Sequence, residues 1–394
     1  MKAKVFNTTL ALLLLTQGFC FANATGVNIL DPSTEVHFVK SPMGNLIVVD
    51  SKNGRVRLNA KDIDDLMDDV GISETAKCNA PVTNNFQQNQ DQKNSDNDAD
   101  QKIKSYSKTY SADADTKLDI NNRFGKVTVH TWDKNEFKVD VQIKVAANKP
   151  QDTDKLLNSI IIADSKVGQL VSFKTNFGKL DDVKTRQVEI NYTVFIPVKN
   201  ALSINNKMGD IELADLEGKL TINCAYGNLI AKTLSNPANK IKVTYGDARI
   251  ASLRAEDLNI DYGSLVLGWA DKLNVDMAYT SAKIGKISTS GVINVKYSSG
   301  VTITNIDKNL KSLQVNSNYS TITVGLNNAE NADFDVTVKY GSFTYDNRPV
   351  NMQKSTRVDD KRWNPIQNFK GHLGKGDVEK MININSAYSS VRFD

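Results

Sequence analysis

The sequence predicts an all-β fold, namely a three-sided parallel β-helix (β-solenoid) with a strand–helix–strand N-terminal cap and a C-terminal capping loop. The first observation is a phrase that recurs through residues 201–345. It consists of two alternating apolar residues, an aromatic residue (Met208 in the first copy), a Gly or Ser, and two more alternating apolar residues. The aromatic positions are spaced by 18, 19, 17, 17, 18, 22 and 21 residues. A repeat period in this range is typical of solenoids.

The second observation is that each repeat carries three apolar clusters. In the copy around Tyr226 they are Ile222 before the aromatic position, Leu229 and Ala231 shortly after it, and Leu234 farther on. Three clusters in one repeat predict three short strands, which pair in parallel with those of the next repeat. We expect the aromatic residues to stack in a packing column. We also expect the glycine after each of them to turn a corner that needs unusual backbone angles.

The N-terminus is typical of an export signal. Residues 1–4 include the basic Lys2 and Lys4, residues 10–15 are apolar, and Ala22-Asn23-Ala24 is a small-x-small cleavage site. Together these features predict a signal peptide at 1–24. The apolar run is shorter than the ~20 residues that a membrane span needs, and no later segment could cross a bilayer. We therefore expect an exported protein located in the periplasm, at the outer-membrane surface or outside the cell.

Two segments precede the repeats. Residues 25–80 predict a small β/α unit with strands at 35–40, 46–50 and 55–59 and a helix at 61–70. Residues 81–104 are polar and rich in Asn, Gln and Asp. Such a composition cannot bury a core, which predicts a disordered linker.

The β-solenoid adhesin-like domain is predicted to occupy residues 105–394. A first copy of the phrase at 118–129 is followed by a cap insertion at 131–200, which holds an alternating strand and a helix opened by Pro150, with Asp152 or Thr153 as N-cap. A C-terminal cap at 346–380 precedes a last copy at 382–393. Trp363 and Phe369 are expected to cover that last copy.

Net charge and cysteine content limit the possible partners. The formal charge is +4 with the signs interspersed, so nothing in the charge points to nucleic acid. Cys78 and Cys224 remain after the leader is removed. They could pair in an oxidising compartment, but two thiols do not make a disulfide framework. The sequence favours Cys224 as a small buried residue.

A polar column stands three positions before the aromatic residues, with a parity opposite to that of the apolar positions. It is either an amide ladder that satisfies its own hydrogen bonds or a flat polar face that meets glycans or a partner protein. The candidate interaction face comprises Asn205, Asn223, Asn259, Asp276, Asn294 and Asn316.

Motifs that would indicate catalysis are missing from the sequence. Its three histidines, His37, His130 and His372, fall in different segments, which leaves little material for a histidine-based triad or metal cluster. Phosphate-loop, CxxC and HExxH motifs do not occur. The aspartates near repeat corners, including Asp261 and Asp276, fall in different columns. We therefore predict no catalytic residues, no metal and no cofactor.

The stretch from Lys117 to Glu136 (KLDINNRFGKVTVHTWDKNE), the strand and helix at 137–162 and the recurrent aromatic-Gly phrase resemble the exported putative-adhesin domains of unknown function that are common in Bacteroidota. The resemblance covers about residues 105–394. It implies a β-solenoid, a cell-envelope location and an adhesive or scaffolding role, and it supplies no catalytic residues.

The predicted function is therefore an exported, non-catalytic adhesin-like or envelope scaffold protein that binds protein or glycan through one face of the solenoid. Two alternatives remain open at the level of sequence. A polysaccharide-degrading β-helix enzyme would need acidic residues that converge in one groove. An envelope-stress sensor module would need a membrane-protein partner.

Overall fold

The computed structural model describes residues 35–41, 44–51, 54–58, 101–178, 185–326, 331–345, 350–355, 365–374 and 380–394. Two compact units make up the chain, Met1–Asp91 and Gln92–Asp394. The predicted signal peptide, the helix at 61–70, Cys78 and most of the predicted linker lie outside the described residues.

The first unit contains a three-stranded antiparallel sheet. Its strands are β1 (Glu35–Ser41), β2 (Gly44–Ser51) and β3 (Gly54–Leu58). β2 is central and pairs with β1 and with β3. The three strands coincide with those expected from the sequence.

The second unit is all-β apart from one helix among its described residues, and its strands join in a nearly closed, barrel-like sheet. Its N-terminal part contains β4 (Lys102–Ser111), β5 (Lys117–Arg123), β6 (Val127–Trp132), β7 (Glu136–Ala147), α1 (Pro150–Ser159), β8 (Ile160–Val167), β9 (Leu170–Phe177) and β10 (Thr185–Pro197). β7 pairs antiparallel with both β4 and β10, and β9 pairs with β8 and, in parallel, with β5. β4 begins inside the segment that composition assigned to the linker.

Helix α1 differs at its start from the sequence prediction, which placed Asp152 or Thr153 at the N-cap. The N-cap residue is Lys149, and Pro150 occupies the first helical turn, where its missing N–H costs nothing. Thr153 is buried in the first turn, and its hydroxyl accepts a hydrogen bond from the Ala147 N–H at 3.0 Å. This contact fixes the helix against β7.

The repeats follow, and their strands build two neighbouring columns. One continuous strand, Asp257–Lys296, runs through both columns, and the strands Val350–Ser355 and Ile366–Leu373 pair antiparallel with each other. In chain order they are β11 (Ala201–Lys207), β12 (Ile211–Leu213), β13 (Leu220–Ala225), β14 (Leu229–Leu234), β15 (Lys240–Thr244), β16 (Ala248–Leu253), β17 (Asp257–Lys296), β18 (Val301–Ile306), β19 (Ser312–Asn318), β20 (Ile322–Val324), β21 (Ala332–Lys339), β22 (Ser342–Tyr345), β23 (Val350–Ser355), β24 (Ile366–Leu373), β25 (Met381–Ala387) and β26 (Ser390–Phe393).

Successive repeats pair in parallel with like positions facing each other. Ile204 pairs with Ile222, and Ile222 pairs with Ile241. The second column behaves in the same way, since Leu229 pairs with Ala248. Because strand side chains alternate between faces, this register builds a continuous core of inward apolar residues that runs through the second unit.

The glycines after the aromatic positions have a different role from the predicted one. The positive φ lies on the aromatic residue itself, with values of 53° to 58° at the eight tyrosines, and not on the glycine. A Cβ added to Gly246 would lie 2.0 Å from the Gly227 carbonyl oxygen, and one added to Gly263 would lie 2.0 Å from that of Gly246. Glycine is required there because the backbones of neighbouring repeats approach too closely for any side chain.

The final repeat is not terminal in space. β25 lies between β19 and β21, and β26 lies between β20 and β22, all in parallel. The last repeat in the chain is therefore the penultimate one in the stack, and the repeat of β21 and β22 ends the stack. The prediction that Phe369 covers the repeat at 382–393 is thus wrong, because Phe369 lies against the repeat of β21 and β22.

The terminal repeat is covered by the strand β24, which pairs antiparallel with β21 and with β23. The Phe369 ring of β24 lies 5.2 Å from the Phe343 ring of β22. Gly371 packs directly on the Phe334 ring, where a Cβ would approach to 2.6 Å. Trp363 lies outside the described residues.

Replacing Gly246 by alanine tests the close approach of repeat backbones. We expect Gly246→Ala to lower the free energy of unfolding by more than about 3 kcal/mol, because two repeats must separate to admit the methyl group. Gly300→Ala is the matched control, since its nearest atom would be Thr321 O at 3.6 Å, and it should change stability by less than about 1 kcal/mol. Urea unfolding measures both, and equal stabilities would contradict the account.

Engineered disulfides test the order of the last repeats. Asn316 and Asn385 are partners on adjacent parallel strands, about 4.8 Å apart, which is within reach of a disulfide. The double variant Asn316→Cys/Asn385→Cys should therefore cross-link under mild oxidation. Asn316→Cys/Thr337→Cys should not, because β25 separates the two positions. Peptide mapping by mass spectrometry distinguishes the products. The reverse result would mean that the repeats stack in the order in which they occur in the sequence.

Candidate functional site

The polar column predicted from the sequence lies on the outward face of the strands that precede the aromatic positions. Its members alternate with buried residues such as Val275, Ile293 and Val315, so the core fixes the direction in which they point. Repeats stacked in register bring each polar side chain next to the equivalent one in the neighbouring repeat.

Hydrogen bonds link this column into an amide ladder. Asn294 Nδ2 donates to Asp276 Oδ1 at 2.8 Å, Asn316 Nδ2 to Asn294 Oδ1 at 2.8 Å, and Asn385 Nδ2 to Asn316 Oδ1 at 3.2 Å. Each asparagine amide can donate two hydrogen bonds and accept two. The ladder uses one donor and one acceptor of Asn294 and of Asn316, so both retain hydrogen-bonding capacity for a ligand.

Four of the six predicted face residues line one groove of about 560 Å³, namely Asn259, Asp276, Asn294 and Asn316. We call it the amide groove, and its other lining residues are Asp261, Met277, Ala278, Val295, Lys296, Ser317, Asn318, Thr337, Asn385, Ser386 and Ala387. Asn205 and Asn223 belong to the same column and share a hydrogen bond of 3.3 Å. They lie nearer its N-terminal end, outside the lining of the groove.

The charges in the amide groove nearly cancel. Asp261 and Asp276 supply two carboxylates, and Lys296 supplies one ammonium group. Sequence reasoning placed the two aspartates in different columns, and the structure brings both into this groove. A wall of amides with so little net charge suits a ligand that forms hydrogen bonds better than it suits a ligand that forms ion pairs.

A second surface feature is a column of stacked tyrosines. We call it the tyrosine ridge, and it comprises, in spatial order, Tyr226, Tyr245, Tyr262, Tyr279, Tyr297, Tyr319, Tyr388 and Tyr340. Adjacent ring centroids are 4.7 to 5.4 Å apart and the ring planes differ by 4° to 15°. The predicted stacking is therefore confirmed, but the rings are 42% to 57% exposed. The column lies on the surface and not in the core.

The sequence contains a signal for this exposure that the analysis of apolar periodicity missed. Among the described residues, eight of the ten non-glycine residues with this positive φ are Tyr, the other two being Phe124 and Met208, whereas a buried column would accept Leu, Ile or Phe equally well. Tyrosine is favoured where one end of the ring is apolar and the other is wet.

A smaller groove of about 310 Å³ flanks the ridge on the strands that follow it. We call it the hydroxyl groove; it is lined by Ser264, Leu265, Val266, Ser281, Ala282, Lys283, Ser299, Gly300 and Thr302. The tyrosine ridge therefore separates a groove rich in amides from one rich in hydroxyls.

A compact polar cluster lies in the N-terminal cap. The phenols of Tyr106 and Tyr110 on β4 donate hydrogen bonds to the two oxygens of Asp164 on β8. Burial raises the pKa of Asp164, but the two hydrogen bonds outweigh it and hold that pKa below its ordinary value. The bond to Asp164 raises the pKa of Tyr110 to about 12. The cluster ties β4 to β8, two strands that do not pair with each other.

Cys224 is buried and its thiol is free. Its Sγ lies 3.3 Å from the Gly227 carbonyl oxygen. Burial, with a smaller effect of Asp210, raises the pKa of the thiol to about 12, so it is an inert packing residue. Cys78, its possible partner in the sequence analysis, lies outside the described residues.

Within the described part of the chain, no three His, Cys, Asp or Glu side chains come close enough together to hold a metal ion. In the same residues, no helix is both long enough and apolar enough to span a membrane.

No protein-family model matches the sequence, and neither does any curated protein. Among solved structures, the chain is similar to a putative adhesin from Bacteroides fragilis (12% identity, 74% of this chain and 97% of that one, TM-score 0.32). It is also similar to a putative cell adhesion protein from Clostridium sporogenes (10%, 74% and 99%, TM-score 0.19). A third similar structure is a putative lipid binding protein from Parabacteroides distasonis (10%, 74% and 96%, TM-score 0.26).

The resemblance to the putative adhesins of Bacteroidota is thus confirmed among solved structures.

Replacing Asp164 tests the cap cluster. A carboxylate whose pKa is lowered on folding stabilises the protein above its unfolded pKa of about 3.9, and that contribution is lost as the pH falls through the folded pKa. Asp164→Asn should therefore cost about 1–3 kcal/mol at pH 7 and much less near pH 2. Urea unfolding at both pH values measures this difference. Asp154→Asn, which removes an exposed ion pair with Lys102, should cost under about 1 kcal/mol. A deficit of Asp164→Asn that is equal at both pH values would contradict the charge-based explanation.

Proposed function

We propose that this chain is an exported, non-catalytic adhesin-like or envelope scaffold protein that binds protein or glycan through the amide groove. The observation that carries the proposal is the amide ladder on the wall of an open groove. Asn294 and Asn316 are held in position by their neighbours and still have a donor and an acceptor to offer. Pre-ordered polar groups bind without the entropic cost of fixing mobile side chains.

The domain organisation proposed with this function is the one expected from the sequence. It consists of a signal peptide at 1–24, a small unit at 25–80, a linker at about 81–104 and a β-helix from about 105 to 394. Its caps would lie at 131–200 and 346–380. Export by the signal peptide would deliver the β-helix to the cell envelope, where an adhesive surface can meet its partner.

A three-sided β-helix is part of the same proposal. Two columns of strands pair in parallel, and a third buried column supports a third side. Leu216 forms an isolated parallel bridge with Leu234, Leu234 pairs with Leu253, and Ile287 pairs with Ile306. A rigid stack of this kind would hold one face of the protein flat over several repeats.

One observation favours the enzymatic alternative, a polysaccharide-degrading β-helix. Asp261 and Asp276 lie in the same groove, and glycoside hydrolysis uses a pair of carboxylates. However, Asp276 already accepts a hydrogen bond within the amide ladder. Release of reducing sugars that is abolished by Asp276→Asn would favour this alternative over the binding role.

Substitution within the amide ladder tests the binding role. The probes are immobilised mucin, fibronectin and collagen, together with a set of purified polysaccharides. Asn294→Ala and Asn316→Ala should each weaken binding to whichever probe the full chain recognises by about ten-fold, because each removes a positioned amide. Asn223→Ala is the matched control, since it lies in the same column outside the groove, and it should bind as the wild type does.

Thermal unfolding shows whether each variant retains its fold. The proposal fails if no probe binds, or if the groove variants and the control bind with equal strength.

A further inference from the structure

The tyrosine ridge is conformationally expensive for what it contributes to stability. Each of its residues has a positive φ, which costs a residue other than glycine about 1–2 kcal/mol. Stacking of two rings returns about 0.5–1.5 kcal/mol for each pair. Gly or Asn would adopt the same backbone at less cost, so the eight tyrosines are not explained by folding stability alone.

Stacking decides which part of each ring a ligand can reach. With centroids 4.7 to 5.4 Å apart and nearly parallel planes, the ring faces cover one another. The exposed parts are the ring edges and the phenol oxygens. Within the described part of the chain, the hydroxyls of Tyr279, Tyr297 and Tyr319 have no hydrogen-bond partner. These three tyrosines therefore present a row of available hydroxyls at a spacing of about 4.8 Å, the strand spacing of the sheet.

These hydroxyls can both donate and accept hydrogen bonds. Loss of water at the stack raises the pKa of Tyr262, and the neighbours Tyr279, Tyr245 and Asp261 raise it further. The phenol therefore keeps its proton at physiological pH. The amides on one side of the ridge and the serine hydroxyls on the other likewise both donate and accept hydrogen bonds.

We infer that the ligand is a linear, uncharged polysaccharide that lies along the tyrosine ridge and engages the amide groove and the hydroxyl groove on its two sides. This inference rests on the proposed binding function and adds the chemical class of the ligand. A long row of groups that both donate and accept hydrogen bonds complements a chain that carries hydroxyls along its whole length. The small net charge of the amide groove favours an uncharged chain over an acidic one.

A protein partner fits the ridge less well. Aromatic hot spots in protein interfaces fill pockets with their ring surfaces and become fully buried. Here the ring faces are already covered by their neighbours, and only edges and oxygens remain. The ridge also extends over seven steps, about 34 Å at the strand spacing, which suits an extended ligand.

The experiment uses the full chain and isothermal titration calorimetry. The uncharged probes are mannan, xylan, galactan and a soluble β-glucan, and the acidic probes are polygalacturonate and heparin. We expect binding to at least one uncharged polysaccharide, with an affinity that changes less than about two-fold between 50 and 500 mM NaCl because no ion pairs are involved. The acidic polymers should not bind.

Tyrosine-to-phenylalanine variants keep the stacked rings and remove only the hydroxyls. The double variant Tyr279→Phe/Tyr297→Phe, next to the amide groove, should weaken binding by about ten-fold or more. Tyr345→Phe is the matched control, because Tyr345 is also an exposed tyrosine but belongs neither to the ridge nor to the lining of either groove. It should bind as the wild type does, and both variants should keep the wild-type Tm.

The remaining outcomes separate this inference from the proposed function. Binding of a polysaccharide with no effect of the double variant would overturn the role of the ridge. Preferential binding of an acidic polymer would overturn the ligand class. Binding of fibronectin or collagen alone, weakened by Asn294→Ala, would overturn the inference and leave the proposed function standing. A chain that binds none of these probes would overturn both.

Discussion

The structure depends on in-register parallel pairing between repeats whose backbones almost touch. Gly209, Gly227, Gly246 and Gly263 each lie against the carbonyl group of the preceding glycine in the stack, where a Cβ would approach to 2.0–2.1 Å. The close contact fixes each repeat against the next and prevents a slip along the strand, which would turn apolar side chains out of the core. Like residues therefore stack on like residues, and every column in the sequence becomes a column in space.

Three features of the surface and interior follow from that register. Inward positions form one continuous apolar core. Outward positions before the corner form the amide ladder, in which each asparagine bonds the next. The corner itself forms the tyrosine ridge.

Where Thr280, Ser298 and Ser320 replace the corner glycine, hydrogen bonds between neighbouring repeats keep the register. The Thr280 N–H donates to the Ser298 hydroxyl at 3.0 Å, and the Ser298 N–H donates to the Ser320 hydroxyl at 2.9 Å.

Much of the fold and of the polar column could be predicted from the sequence, because the repeats can be recognised from residue spacing alone. The all-β class, the stacking of the aromatic residues and the outward polar column all follow from spacing and parity. Exposure of the tyrosines was missed because periodicity marks both a buried column and a surface column in the same way. The location of the positive φ was missed because glycine is the residue expected there, whereas its real role is to allow a close approach of backbones.

The position of the last repeat could not be read from the sequence at all. The copy with Tyr388 has the same phrase as its neighbours, so nothing local distinguishes a terminal place from an inserted one. Its insertion depends on contacts made by two other repeats, since Ile384 pairs with Val315 on one side and with Val336 on the other. The amide groove depends on this insertion too, because Asn316, Asn385 and Thr337 line it side by side.

The most direct measurement of the central claim is a crystal structure of the full chain with a bound uncharged oligosaccharide. The account predicts sugar density along Tyr279, Tyr297 and Tyr319, with sugar hydroxyls bonded to the phenol oxygens and to Asn294 or Asn316. Sugar bound elsewhere on the molecule, with the ridge bare, would contradict it.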